Sequence, residues 1–152
     1  SVSVVVPHAL KRRLHAIMEV VCRSAARLCE TFGVEATPIL AARATRRVVC
    51  CLTETSAYAV LLRSRKVAGF AVRRYPSSWL IQGSVLVDPL PHRLAQALPA
   101  DLTAQVQARA AALSDMASVG IEELAERWAA HWASWWRNFA PQNFSKRFVG
   151  VS

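Results

Sequence analysis

Glycine is scarce in this chain, with five in 152 residues and none of them clustered. That scarcity excludes the glycine-rich cradles that wrap phosphate in backbone N–H groups. Neither G-x-x-x-x-G-K-[ST], G-x-S-x-G nor H-E-x-x-H occurs. Lysine is rarer still: Lys11, Lys66 and Lys146 are the only three, so 16 of the 19 basic residues are arginine. Charged residues make up only 19% of the chain, against a usual fraction of about 25%. No apolar run approaches the roughly 20 residues of a membrane span, and no signal-peptide pattern opens the chain. The segment Ser1-Val2-Ser3-Val4-Val5-Val6 is too short for either, and its small first residue fits simple loss of an initiator Met.

Metal and disulfide frameworks are missing as well. Cys22, Cys29, Cys50 and Cys51 show no C-x-x-C pair, and His8, His15, His92 and His131 do not cluster with them. Buried free thiols in a reducing compartment are expected, without zinc. Glu122, Glu123 and Glu126 share one helix and read as a solvated face. Asp115 and His131 lie too far apart along the chain to work as a pair. With no nucleophile and base, carboxylate dyad or phosphate loop, the expectation is a non-enzymatic protein with neither cofactor nor metal.

What is present suits one domain spanning residues 1–152, with 53% hydrophobic residues and a formal charge of +9. Much apolar surface with few charges suggests burial against partners. Guanidinium groups bind phosphate in planar forks, so the arginine bias favours a nucleic-acid partner. A GC-rich genome, which also favours Arg and Ala codons, accounts for it equally well.

Residues 8–32 carry Leu10, Leu14, Ile17, Val21, Leu28 and Phe32 at three- and four-residue steps, which predicts an amphipathic helix ended by Gly33. Thr37-Pro38 reads as a cap with Pro at the first helical position, opening a second helix to about residue 52. Residues 57–62, 67–74 and 79–87 are rich in β-branched and aromatic types and predict a small antiparallel sheet. Asp88-Pro89 repeats the cap-plus-Pro signal and predicts a third helix to about residue 98. Residues 102–113 are helix-permissive, and Ser114 is the expected cap of a last long helix. That helix is marked by Ile121, Leu124, Trp128, Trp132, Trp135 and Phe139, and Pro141 breaks it.

Two groups could carry function. Arg43, Arg46 and Arg47 would share one face of the second helix, as a phosphate grip or simply as a solvated, salt-bridged face. Trp128, Trp132 and Trp135 are expected in the core, with Trp136 off the stripe and free for a subunit contact.

The order of these landmarks resembles the coat proteins of rod-shaped plant RNA viruses of the tobamovirus type. The opening Ser1-Val2-Ser3 with Pro7, Gly33, Arg46 with Val48-Val49, and Val72-Arg73-Arg74-Tyr75-Pro76 are each similar to that family's pattern. So are Val87-Asp88-Pro89-Leu90, then Asp115, Ala117, Val119 and Ile121, and finally Asn143-Phe144-Ser145. The resemblance implies a mainly α fold, an antiparallel four-helix bundle with a small distal antiparallel β-sheet. It implies a capsid subunit of the virion, present in host cytoplasm, that self-assembles into a helical rod around single-stranded RNA. By position it implies phosphate contacts from Arg46, with Arg43 and Arg47 beside it, and Arg109 as the nearest substitute for the arginines after the third helix. Asp115 would meet ribose or base edges, and Val119 would form part of the base platform. The alternatives are a basic helical RNA-binding scaffold that forms no capsid, and a peripheral membrane or adaptor domain using the Trp-rich helix.

Overall fold

The first residues depart from a helical bundle. In the computed structural model, Val2–Pro7 forms a strand, β1, in which Val2, Val4 and Val6 are each 2% exposed while Ser3 and Val5 face away. A period of two with β-branched residues on the inner face is a strand pattern. The structure describes residues 1–8, 13–40, 52–53, 57–139 and 149–151, and side chains up to residue 134.

Helix α1 (Leu14–Glu30) follows, and its stripe of Ile17, Met18, Val21, Cys22, Ala25, Leu28 and Cys29 is buried. Arg23 and Glu19 pair at 2.9 Å on its outer face. Gly33, at φ +74°, turns the chain out of the helix; its N–H donates to the Glu30 carbonyl at 2.9 Å and that of Val34 to Cys29 at 3.2 Å. The predicted helix end is thus observed, through the left-handed conformation that glycine tolerates.

Four more strands complete the sheet's first five: β2 (Thr37–Ile39), β3 (Ala59–Leu62), β4 (Arg65–Arg74) and β5 (Ser78–Val85). With β6 (Val149–Val151) they form a six-stranded antiparallel sheet in the order β2-β3-β4-β5-β1-β6. Thr37-Pro38 therefore lies on an edge strand rather than capping a second helix. Pro is admissible there because an edge strand need not donate on its outer side. The rest of that expected helix, with Arg43, Arg46 and Arg47, lies outside the described residues.

Beyond β5 come the short α2 (His92–Ala97), which buries none of its residues, and α3 (Ala100–Arg109). A 3-10 turn at Leu113–Asp115 leads to α4 (Ile121–Phe139). The Asp88-Pro89 signal marks a loop, since α2 starts only at His92, after Pro91. Ser114 caps nothing: its N–H donates to the Val87 carbonyl at 2.9 Å, and α4 begins seven residues later.

α1 and α4 pack on each other and on one face of the sheet. Trp128 and Trp132, each 1% exposed, join Val2, Val4, Val6 and Ile81 in a single core. The Trp128 indole N–H donates to Ser24 Oγ at 3.2 Å across the helix pair. This is a mixed α/β fold built on a large antiparallel sheet, and the expected mainly α four-helix bundle with a small distal sheet is wrong. The physical reason is that the bundle reading counted helices and left Val2, Val4 and Val6 out. Those residues place β1 beside β5 in the middle of the sheet.

Candidate functional site

The sheet has two unlike faces. In register, Val4, Ile81 and Val72 form one cross-strand row and Val2, Gly83 and Phe70 the next, and these rows meet the helices. The intervening rows, Ser3–Gln82–Ala71 and Val5–Leu80–Arg73, point the other way. Gln82, Ala71 and Arg73 are exposed there, and Val5 is 36% exposed. Along this open face runs a cavity of about 600 Å³, lined by Ser1–Ser3 of β1, residues 66–71 of β4, residues 82–84 of β5, and by Leu52 and Leu86.

Small residues make the hollow. Gly69, Ala71, Ser3 and Ser84 leave room where larger side chains would fill the sheet surface. Gly83 is constrained further, because an added Cβ would run into the Phe70 ring and approach the Gly69 carbonyl oxygen to 2.6 Å. A glycine inside a strand marks such a close approach. Gln82 Nε2 donates to Ser3 Oγ at 3.3 Å, tying β5 to β1 across the cavity wall.

The one ionisable side chain in the lining is Lys66, which is only 5% exposed. Lysine is rarely so buried, and a buried cation beside a hollow marks a candidate site. A register shift explains its placement. Val60 pairs with Ala68 but Leu61 pairs with Lys66, so β4 carries one extra residue at Val67. The alternation of side chains breaks there, and Lys66, Val67 and Ala68 are buried in succession. Bulges of this kind re-aim side chains beside active sites. Next to the bulge, the β3–β4 turn holds Arg63 and Ser64 at φ 45° and 67°. The Lys66 carbonyl accepts from the Ala111 N–H at 2.9 Å, fixing the strand from the other side.

Arg109 belongs to this support. Its Nη1 donates to the Thr53 carbonyl at 3.2 Å, beside Leu52 of the cavity wall, while Arg65 Nη2 donates to the Gln107 carbonyl at 3.1 Å. The two arginines tie the end of α3 to the segments flanking Lys66. Asp115 accepts from the Ala112 N–H at 3.1 Å and so closes its own 3-10 turn. Val119 is half-buried against the core. Cys22 and Cys29 are buried free thiols, each pushed up to about 12 by burial, which keeps them un-ionised.

Lys66 was not singled out by sequence reasoning, although a signal existed. It is one of three lysines, and it joins the basic turn Arg63-Ser64-Arg65 to the apolar and small run of residues 67–71, with Gly69 and Gly83 isolated inside strand patterns. A second cleft of about 470 Å³ lies between Gly33–Glu35, Thr37, Arg63, Ser64 and Met116. Its charged residues, Glu35 and Arg63, are exposed, so it lacks the buried cation. Among the described residues no His, Cys, Asp and Glu cluster could hold a metal, and no helix is long and apolar enough to cross a membrane.

No protein-family profile matches the chain, and no curated protein is significantly similar to it. Solved structures with the same fold do exist. One is a T. acidophilum protein assigned as a lipoate protein ligase and solved with bound lipoic acid, at a TM-score of 0.64 and 15% identity over 95% of this chain. Another is lipoate-protein ligase A bound with ATP, at 0.64 and 15% over 87% of this chain. A third is the bi-partite lipoate protein ligase of Thermoplasma acidophilum, studied with its E2 lipoyl domain, at 0.63 and 14%. The chain spans about half the length of these proteins, from 49% to 54%. At such identities the likeness shows the fold, and that fold is one carried by ligases.

It overturns the coat-protein resemblance, since the shared sheet-based architecture has nothing of the helical bundle on which that resemblance rested. The capsid function, the RNA-scaffold alternative, the placement in a virion and the partnership with single-stranded RNA in a helical self-assembly fail with it. So does the expectation of a non-enzyme, which weighed only known catalytic motifs, since the solved structures of this fold are ligases. The motifs behind the resemblance were short and individually common, and two of them, Asp88-Pro89 and Asp115, lie in a loop and a 3-10 turn.

Proposed function

We propose that this chain is the acyl-holding part of a ligase that joins a lipoate-like aliphatic carboxylic acid to an amine on a protein. The observation that carries the reading is Lys66, the buried lysine of a cavity whose other lining side chains are uncharged, on a fold of which one example holds lipoic acid.

The chemistry fits the ligand class. An aliphatic chain gains about 0.8 kcal/mol for each methylene it buries, and Ala71, Leu86 and the Cα of Gly69 offer it an apolar surface. A carboxylate brought into such surroundings needs a charged donor, and Lys66 supplies one. Joining a carboxylate to an amine in water requires activation of the acid, and ATP, which one structure of this fold contains, is the co-substrate the reading calls for. During transfer the acceptor amine bonds to the acyl carbon, the activating group leaves with its electron pair, and the amine gives up a proton. Lys66 contributes by holding the acid and offsetting negative charge that develops on the acyl oxygens. The bulge at Val67 and the Arg65 and Arg109 tethers fix its position.

Calorimetric titration of the chain with lipoic acid and with octanoic acid tests the reading. Both are expected to bind, and Lys66→Met is expected to weaken them by about 10- to 100-fold, the worth of one hydrogen bond to a charged group. Lys66→Arg should retain part of the affinity. Equal binding by Lys66→Met and the unaltered chain would remove the basis of the proposal.

A further inference from the structure

Resting on the ligase reading, we propose that Gln82, with Ser3 and Ser84 beside it, decides which acid the cavity takes. The preferred substrate is an aliphatic carboxylic acid whose far half carries a hydrogen-bonding group, such as an amide, rather than a plain alkyl acid.

The strand register gives the cavity floor two unlike sides. β4 presents Gly69 and Ala71 to the open face, and Leu86 follows β5 at the end near Lys66, where its N–H donates to the Val67 carbonyl at 2.8 Å. That side is apolar. β5 and β1 present Ser84, Gln82 and Ser3, with Ser84 opposite Gly69 and with Gln82 between Ala71 and Ser3. Among the described residues of these strands, no charged side chain interrupts the floor between Lys66 and Arg73. A face built only for solvent carries a mixture of charges, whereas this one carries hydroxyls and a single amide.

The polar side has unused hydrogen-bonding capacity. Gln82 Nε2 donates to Ser3 Oγ at 3.3 Å, which engages one of the two N–H groups of the amide. Its second N–H, its Oε1 and the Ser84 hydroxyl make no other hydrogen bond among the described residues. Water meets these groups while the cavity is empty. An acid lying along the sheet displaces that water, and a plain alkyl chain leaves the amide and the hydroxyl unpaired. A site built to hydrogen-bond its ligand rejects the analogue that lacks the matching group for this reason.

The register also fixes where on the acid that group belongs. Open-face rows repeat every second residue, roughly 7 Å apart at about 3.3 Å per residue. With the carboxylate at Lys66, the Ser84–Gly69 row comes first and the Gln82–Ala71 row second. The methylenes next to the carboxylate therefore lie on Gly69, and the Gln82 side chain meets the far half. An amide there pairs reciprocally with Gln82, N–H to carbonyl in both directions.

Calorimetry on the whole chain compares octanoic acid with suberic acid monoamide, which has the same carboxylate and the same run of carbons but ends in an amide. The monoamide is expected to bind about tenfold more tightly. Gln82→Met, similar in length and without the amide, is expected to cost the monoamide about tenfold and octanoic acid nothing. Gln82 is exposed, so the variant should keep the urea midpoint of the unaltered chain. Equal affinities for the two acids, tighter binding of octanoic acid, or a monoamide preference that survives Gln82→Met would each overturn the selection and leave the ligase reading standing. Failure of both acids to bind would overturn the cavity reading and the selection with it.

Discussion

The helix-covered face of the sheet and the open face are made from the same strands yet obey different rules. On the covered face, Val2, Val4, Val6, Ile81 and Phe70 meet α1 and α4 in a core that includes two nearly inaccessible tryptophans. On the open face the alternate positions are Ser3, Gln82, Gly69 and Ala71, too small or too polar to build a core, and the cavity runs among them. The covered face accounts for folding, whereas the open face has the features of a site. One residue, Lys66, is moved from the logic of one to that of the other by a single bulge.

The comparison breaks most visibly at the helix pair. Trp128→Ala or Trp132→Ala should cost about 3–5 kcal/mol, measured by urea unfolding, and should weaken lipoic acid binding only through the unfolded fraction. A ligand-specific loss in a variant that remains folded would show that the two faces are not separable. Gly83 joins them, since its missing Cβ makes room for Phe70 from the covered face while its backbone lines the cavity. Gly83→Ala should overpack this point at a cost of about 1–3 kcal/mol and distort the cavity, so stability and ligand affinity should fall together. A tolerated alanine would mean that Phe70 can swing away freely.

Smaller effects sharpen the contrast. Ser64 sits at φ 67° in the turn beside Lys66, a conformation that strains residues with a Cβ. Ser64→Gly should raise stability by about 1 kcal/mol in thermal unfolding and leave ligand affinity alone. An unchanged or lower melting temperature would contradict the strain. On the helix side, burial and then the nearby Arg27 charge hold His131 below the usual histidine range. The folded state therefore binds fewer protons than the unfolded one once pH drops to the unfolded value of about 6.5. Its contribution is complete above that pH and is lost as pH falls toward the depressed folded value. His131→Gln should flatten this part of the stability profile, and an identical slope in both proteins would exclude His131 as its source.

Much of the covered face was legible in the sequence. The three- and four-residue steps of Ile17, Val21 and Leu28, and of Leu124, Trp128 and Trp132, predict the two long helices and their buried stripes. The strands of the β4–β5 hairpin were also visible as runs of β-branched and aromatic residues. What misled was the weight given to Thr37-Pro38 and Asp88-Pro89. A Pro after a short polar residue suits a strand edge or a loop as well as a helix start, and local chemistry does not choose among them. The Val2, Val4 and Val6 alternation was short enough to be passed over, and with it went the sheet's middle. The site was less legible for a different reason. Lys66 becomes notable only when β1, β4 and β5 lie side by side, and no spacing along the chain records that juxtaposition. The arginine triad of residues 43, 46 and 47 lies outside the described residues.

The most direct test of the central claim is a crystal structure of the chain with lipoic acid. The account predicts the carboxylate within hydrogen-bond distance of Lys66 Nζ and the aliphatic chain lying along Gly69, Ala71 and Gly83. Lipoic acid seated instead in the cleft beside Gly33 and Arg63, or bound with its carboxylate remote from Lys66, would contradict it.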